Sequence, residues 1–431
     1  MTRLKRLIAL VAIAAAAWPL AGWSADSYLA ALPSEARVRE TLNRLPQVQA
    51  ARAGIALESA NRDRYNAGPY EWTVRSTAQQ RRETIGPRYL ENDIAIERPL
   101  RWFGKAEKDA AIGEQGVIQA DAALGDAWHE AARSLLKAWF DWMREATASA
   151  ALREQMALLE RQTEIARKRV TAGDAAKVEL LLAETERDRV IAAQRQSAQR
   201  AALAALDLTR RFPGIRTTMP ADLPAPVELA GADEDWLQHV LGDNHEIALA
   251  EAEAHKAALV AERVARDRMP DPTVGVRYAQ ERGRQEHIVG ITVSIPLPGA
   301  GRRAHSAASL AQSAVVAERA RQTRARVESD AARAVLNARS TFEIGSKFAQ
   351  VAEQTRTNAD LVTRAYALGE SNLSDTLLAR RQAIEAALAS ASAQLDALEA
   401  RARLALDAHH IWALDEEEMK HAPHKAKDGL S

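Results

Sequence analysis

Two groups of residues in this chain have the types and spacing that chemistry would need. Gly299-Ala300-Gly301-Arg302-Arg303-Ala304 fits the G-x-G-x-x-[GA] pattern, whose glycines let a strand-to-helix turn approach a dinucleotide pyrophosphate. His409, His410, His421 and His424 flank the acidic run Asp415 to Glu418, and imidazole beside carboxylate is transition-metal chemistry. The glycine motif does lie between a strand-like and a helix-like segment. However, the helical run after it is several times too long for a βαβ unit, and the matching junction in the first half, Phe103-Gly104-Lys105, lacks the pattern. These glycines instead suit a change of chain direction. The histidines show no rigid tetrahedral spacing, so a polar tail competes with a loose metal site. There is no cysteine, which excludes thiol catalysis, disulfides and cysteine-ligated zinc. No H-E-x-x-H, G-x-S-x-G or Walker pattern is present. The residues point to no enzyme, no cofactor and no resident metal.

Any functional side chain must be positioned by its surroundings, and here those surroundings come twice. An apolar-patterned helix leads to Pro-bounded alternating segments, a long proline-free run, a Gly-centred break and a second helical run. The first pass runs from about Leu45 to Leu208 and the second from about Asn244 to Leu406. Ile96-Glu97-Arg98-Pro99-Leu100 is echoed by Ile295-Pro296-Leu297, and Ala172-Gly173-Asp174 by Leu368-Gly369-Glu370. Each Gly turn is followed by an acid and leucines, Glu179-Leu180-Leu181-Leu182 and Asp375-Thr376-Leu377-Leu378. The chain divides into a leader (1–25), a first repeat (26–210), a connector (211–235), a second repeat (236–408) and a polar tail (409–431). The first repeat holds a helix, a β-hairpin at 70–98, a long helix at 104–169 and a helix at 175–208. In the second, the hairpin falls at 272–297, the long helix at 302–366 and the last helix at 372–408.

Composition fits long, closely packed helices better than an enzyme core. Aromatics make up 5% of residues, alanine is abundant, and proline is absent from Leu100 to Phe212 and from Gly299 to Ala422. Lys plus Arg and Asp plus Glu both number 58, so no global basic field exists to attract nucleic acid. Arg3, Lys5 and Arg6 precede the apolar run Leu7 to Ala17 and the break at Pro19, the pattern of a signal peptide cleaved between Gly22 and Asp26. Leu20-Ala21-Gly22-Trp23 has the shape of a lipobox with Trp in place of the lipidated cysteine, so an exported, unlipidated protein is expected. No other stretch reaches the ~18 apolar residues of a spanning helix.

The alternating segments read as strands. Trp72, Val74, Ser76 and Ala78 fall on one face, opposite Thr73, Arg75 and Thr77, and Ile94 and Ile96 alternate with Asp93, Ala95 and Glu97. Val274, Val276 and Tyr278 repeat the pattern, followed by Val289, Ile291, Val293 and Ile295 opposite Ile288, Gly290, Thr292 and Ser294. Tyr70, Trp72, Trp102, Phe103 and Tyr278 lie near strand ends, where a membrane-interface girdle needs aromatics. Two surface hairpins on a soluble helical protein are the plainer alternative. If the strands meet lipid, four cannot close a barrel, and lipid tolerates no open edge, so several protomers must share one. The helices agree with that. Gly104 to Arg169 and Arg302 to Arg364 would each extend about 95 Å, with coiled-coil-like seams at Leu152, Met156, Leu159 and Thr163 and at Leu377, Ile384, Leu388 and Ala391.

In this order and spacing, the duplicated helix–hairpin–helix plan, the junction Ile295-Pro296-Leu297-Pro298 leading into a long helix, and the two Gly turns resemble the TolC-like outer-membrane efflux family. The resemblance covers about Leu45 to Ala408. It implies a mainly α fold with a small β part: a homotrimeric α-helical tunnel joined to a shared twelve-stranded transmembrane β-barrel. It also implies an outer-membrane, periplasm-reaching location in a Gram-negative bacterium and contact with outer-membrane lipid. The implied partners are a periplasmic adaptor (membrane-fusion) protein and an inner-membrane RND-type pump, with nucleic acid excluded. The Ile-Pro-Leu-Pro junction looks most like the CzcC-like heavy-metal branch. Carried over onto this sequence, the family's periplasmic gate would join Tyr366 to Glu179, and Asp375 would ring the pore. Gly173 and Gly369 would form the tip turns that dock on the adaptor. Leu378 stands where a second pore acid is usual, and Ser371 and Val178 stand where a second polar latch is usual, so this tip should have fewer ties. The implied function is passive export of small molecules or metal cations, and the alternative is a soluble periplasmic coiled-coil adaptor or scaffold.

Overall fold

The structure, a computed structural model, describes residues 27–220 and 223–414. The leader read at residues 1–25, together with His421, His424 and the run Asp415 to Glu418, lies outside the described residues. Of the described residues 71% are helical, with one small sheet. After α1 (Glu35–Asn43), Pro46 opens α2 (Pro46–Ala67) at the first helical position, where a missing N–H costs nothing. Strands β1 (Thr73–Arg82) and β2 (Arg88–Pro99) follow, then α3 (Lys105–Thr171), which is 67 residues and about 100 Å long, and α4 (Lys177–Arg211). Past α5 (Asp233–Gly242), which begins inside the expected connector, the plan returns. It comprises α6 (His245–Arg266), β3 (Thr273–Glu281), β4 (Glu286–Ser294), α7 (Ala300–Ala367) and α8 (Leu373–Asp407). The long helices of the two halves are 67 and 68 residues, and the helices after the Gly turns are both 35.

Both long helices stop by the same device. Gly173 takes φ +77° and Gly369 φ +81°. At the first turn, Gly173 N–H donates to Val170 C=O and Asp174 N–H to Arg169 C=O. At the second, Gly369 N–H donates to Tyr366 C=O and Glu370 N–H to Ala365 C=O. This paired pattern closes orphan carbonyls around a left-handed residue, which only glycine adopts cheaply. The turn at Gly299 works differently from expectation. Gly299 is extended at φ −113°, an added Cβ at Gly299 or Gly301 meets nothing within 4 Å, and a 68-residue helix follows. That junction needs no glycine-specific backbone, and no βαβ unit surrounds it.

The four strands form one antiparallel sheet in the order β1-β2-β3-β4, leaving β1 and β4 as edges. The main core lies in the helical part, around Trp128, Leu135, Phe140, Met143, Leu208, Leu395, Leu398 and Leu406. It corrects one boundary: the polar tail does not start at residue 409, because Ile411, Trp412 and Leu414 are buried in this core. Trp128 Nε1 donates to the Trp412 carbonyl at 2.8 Å, which ties the chain down there. Three large apolar side chains within four residues override the polar composition around them. Among the described residues no helix is long and apolar enough to cross a membrane.

Candidate functional site

Register sorts the sheet into two unlike faces. Val74, Ile96, Val276 and Ile291 are successive cross-strand partners, as are Ile94, Tyr278 and Val289. All are exposed: Ile291 by 82%, Val289 by 76% and Val74 by 62%. The opposite face carries charge, arranged as a ladder. Arg75 pairs with Glu97 at 2.6 Å, Arg277 with Asp93 at 2.9 Å, and Arg81 with Glu91 at 3.1 Å and Glu281 at 3.4 Å. A contiguous exposed apolar surface marks an interaction site, and a sheet with apolar out and polar in is the pattern of a lipid-embedded barrel wall. Ile288 departs from this by sharing the charged face, and Arg98 by sharing the apolar row of Val274 and Val293.

At the base of the sheet a buried charge joint fixes strands to helices. Lys105, the first residue of α3, is 1% exposed. Its Nζ donates to Asp271 at 2.9 Å and to the Met269 carbonyl at 2.7 Å, and it pairs with Asp267 at 3.1 Å. Tyr70 Oη donates to the other Asp271 oxygen at 2.6 Å. Burial, followed by this hydrogen bond, pushes the Tyr70 hydroxyl up to about 12, so it remains a donor. Arg263 joins Asp109 to Asp267, each at 2.6 Å, while Arg101 holds Asp109 and the end of α2 through the Tyr65 carbonyl. The joint therefore gathers α2, α3, α6 and the bases of both hairpins.

At the far end of the long helices, the structure places the expected tip residues close together, but with different bonds. Tyr366 is half-buried against Leu159, Ala166, Ala183, Leu373 and Leu377. Its hydroxyl accepts from Arg169 Nη1 at 2.7 Å, and no hydrogen bond joins it to Glu179 among the described residues. Arg169 also donates to Asp174 at 3.1 Å, and its guanidinium carbon stands 5.8 Å from the Tyr366 ring centroid. The hydrogen bond to Asp174 contributes most to raising the Arg169 pKa, and Tyr366 and then Glu179 add to it through their fields. The partner of the Tyr366 hydroxyl is therefore Arg169, a residue that position-matching could not supply. Asp375 is exposed and completes a cap. The Asn372 side chain accepts from Asp375 N–H at 2.8 Å and donates to its carboxylate at 3.0 Å. Gly173 and Gly369 have open space where a Cβ would sit, so both turns are bare at the tip.

His409, expected in a polar tail, belongs to a cluster of three rings, of which His129 is buried and His245 and His409 are half-buried. It lies 4.9 Å from His245 and 5.2 Å from His129, centroid to centroid. Gly125 makes the approach possible, because a Cβ there would stand 2.5 Å from His245 Nδ1. His129 bonds Asp407 at 3.1 Å, and Asp407 also accepts from Arg133 at 2.9 Å and from Arg403. Among the described residues no group of three or more His, Cys, Asp or Glu is placed to hold a metal. His245 and His409 pack there as neutral rings. Burial first, then the charges His409 and His129 would carry, push His245 down to about 4, and burial likewise lowers His409. The folded pKa lies below the unfolded value near 6.5, so protons bind preferentially to the unfolded chain. Stability should therefore be full above about pH 6.5 and decline as pH falls toward about 4. Urea midpoints measured from pH 7 to 4.5 should fall, with a shallower slope in His245→Gln; equal slopes would contradict the neutral cluster.

No protein-family model matches the sequence, and no curated protein matches it either. Solved structures do. The Campylobacter jejuni CmeC outer membrane channel superposes with a TM-score of 0.74 at 10% identity, over 90% of this chain and 88% of that one. The outer membrane protein VceC of Vibrio cholerae gives 0.71 at 14% identity, over 86% and 95%. The open-state MtrE outer membrane channel of Neisseria gonorrhoeae gives 0.70 at 17% identity, over 88% and 89%. With one face of the sheet charged, the other exposed and apolar, and the long helices beside them, the chain has the fold of these outer-membrane channels.

Proposed function

We propose that this protein is the outer-membrane channel of a tripartite efflux system, a passive conduit through the periplasm and outer membrane. The observation that carries the proposal is the sheet: one face exposed and apolar, the other a charge ladder, with unpaired edges at β1 and β4. Lipid satisfies the apolar face but not the edges, so three chains contribute four strands each to one closed barrel. The soluble-scaffold alternative leaves Val289 and Ile291 in water without purpose. The test is fractionation. The protein should stay with outer membranes after salt and carbonate washing, whereas a scaffold is released.

In this reading the tip is the periplasmic gate, with Tyr366 and Glu179 acting together through Arg169 to hold α3 against α7. Asp375 faces the pore, where three symmetry copies make a negative constriction that favours cations. The turns at Gly173 and Gly369 dock on the periplasmic adaptor, which links the channel to an RND-type pump. The heavy-metal branch rests on the Ile295-Pro296-Leu297-Pro298 junction and the general layout. Tyr366→Phe removes the acceptor of the Arg169 bond and should raise single-channel conductance in planar bilayers. Asp375→Ala should weaken cation selectivity. Wild-type conductance and selectivity in both variants would overturn the gate assignment while leaving the conduit intact.

A further inference from the structure

The outward face of the sheet ends in arginines with no acid to meet them. Arg82, the last residue of β1, and Arg88, the first of β2, are direct cross-strand partners. Both are exposed, and both share the face of Val74, Leu90, Ile94 and Ile96. Like charges placed directly opposite destabilise a strand pair. Among the described residues neither guanidinium has a hydrogen bond or ion pair. The contrast with Arg81 is informative: one position away and on the opposite face, it is paired with both Glu91 and Glu281.

The neighbouring tip adds to the charge. Arg282, Gly283 and Arg284 all take positive φ, a conformation that L side chains adopt at a cost. Arg282 pairs with Glu286 at 3.4 Å, whereas Arg284 is exposed and has no partner among the described residues. Gly283 lies against Tyr89, the neighbour of Arg88, with an added Cβ 3.8 Å from the ring. The two tips are therefore adjacent. From the apolar rows, the outward face passes through two mixed rows, Ala78, Asn92, Gln280 and His287 and then Gln80 and Leu90, before reaching Arg82 and Arg88. That is the sequence from hydrocarbon through interface to headgroup, and Val74 to Arg82 spans about 27 Å along the strand.

We propose that Arg82 and Arg88 bind the phosphate of a phosphorylated lipid in the leaflet reached by the hairpin tips. A guanidinium fork matches phosphate oxygens in a bidentate manner, and one anion between the two arginines turns their repulsion into attraction. The lipid's acyl chains would lie along the apolar rows below, so a headgroup still attached to its chains fits and a free phosphate does not. The proposal rests on the channel reading, because it needs this face to stand in lipid.

The test uses the purified full-length protein in detergent, titrated with phosphatidic acid, with diacylglycerol as the phosphate-free counterpart and inorganic phosphate as competitor. Bound lipid is counted by native mass spectrometry. Arg82→Gln and Arg88→Gln should each weaken phosphatidic acid binding about fivefold, and together about 25-fold. Arg82→Lys with Arg88→Lys keeps the charge but loses the fork, so it should bind more weakly than wild type and more tightly than the double glutamine variant. Diacylglycerol should not bind, and inorganic phosphate should not compete. Wild-type binding in the double glutamine variant, equal binding of diacylglycerol, or displacement by inorganic phosphate would overturn the proposal. Channel conductance in planar bilayers is read on the same samples. Conducting protein without selective lipid binding removes this inference alone, whereas a wild type that never inserts removes the channel reading and this inference with it.

Discussion

Ile291→Arg should prevent the assembled protein from folding into membranes. Ile291 is 82% exposed and shares a row with Val276, Ile96 and Val74. An arginine facing lipid costs up to about 2–4 kcal/mol near mid-bilayer, and a three-chain barrel would carry the substitution three times. The control is the next residue. Thr292 pairs with Gly275 on the charged face, so Thr292→Arg should point into the lumen and fold normally. The measurement is the urea dependence of folding into lipid vesicles, read by heat-modifiable gel mobility. If Ile291→Arg folds like wild type while Thr292→Arg fails, the two faces have been assigned the wrong way round.

The second large effect is expected at the charge joint. Lys105→Met leaves Asp271, whose side chain is 6% exposed, without its ammonium partner, and Asp267 loses a second contact. Removing one partner of a buried ion pair costs about 3–5 kcal/mol, because the remaining charge stays buried and uncompensated. Chemical denaturation followed by circular dichroism should show that loss. Lys105→Met combined with Asp271→Asn should recover a good part of it, since the orphaned charge is then gone and Tyr70 can still bond the amide. Strictly additive single and double variants would mean that the two residues do not act as a pair.

Much of the fold follows from local pattern, and much of the site does not. The alternation of Val74, Ile96, Val276 and Ile291 is a period-two signal, and period two assigns a face before any partner is known. The Gly173 and Gly369 turns are equally local, since a positive φ after a proline-free run is a glycine signature. By contrast, the joint around Lys105 draws on Asp267, Asp271 and Tyr70, and the ring cluster on residues 129, 245 and 409. Pairs so distant in sequence leave no periodic trace, and a lone Lys or His reads as a solvated side chain. Arg169 was invisible for another reason. Positions matched to a family supply Tyr366 and Glu179 but say nothing about which neighbouring side chain bonds the tyrosine. Composition misplaces the C-terminal boundary because the histidines and acids dominate it, while Ile411, Trp412 and Leu414 dominate the energetics.

Whether β1 and β4 find their missing partners in other copies of this chain decides the central claim, and the mass of the purified protein in detergent micelles reports it directly. Native mass spectrometry should give three chains per particle, because four strands with two unpaired edges cannot stand alone in an apolar phase. A stable monomer would contradict the shared barrel, and with it the reading of this protein as a channel.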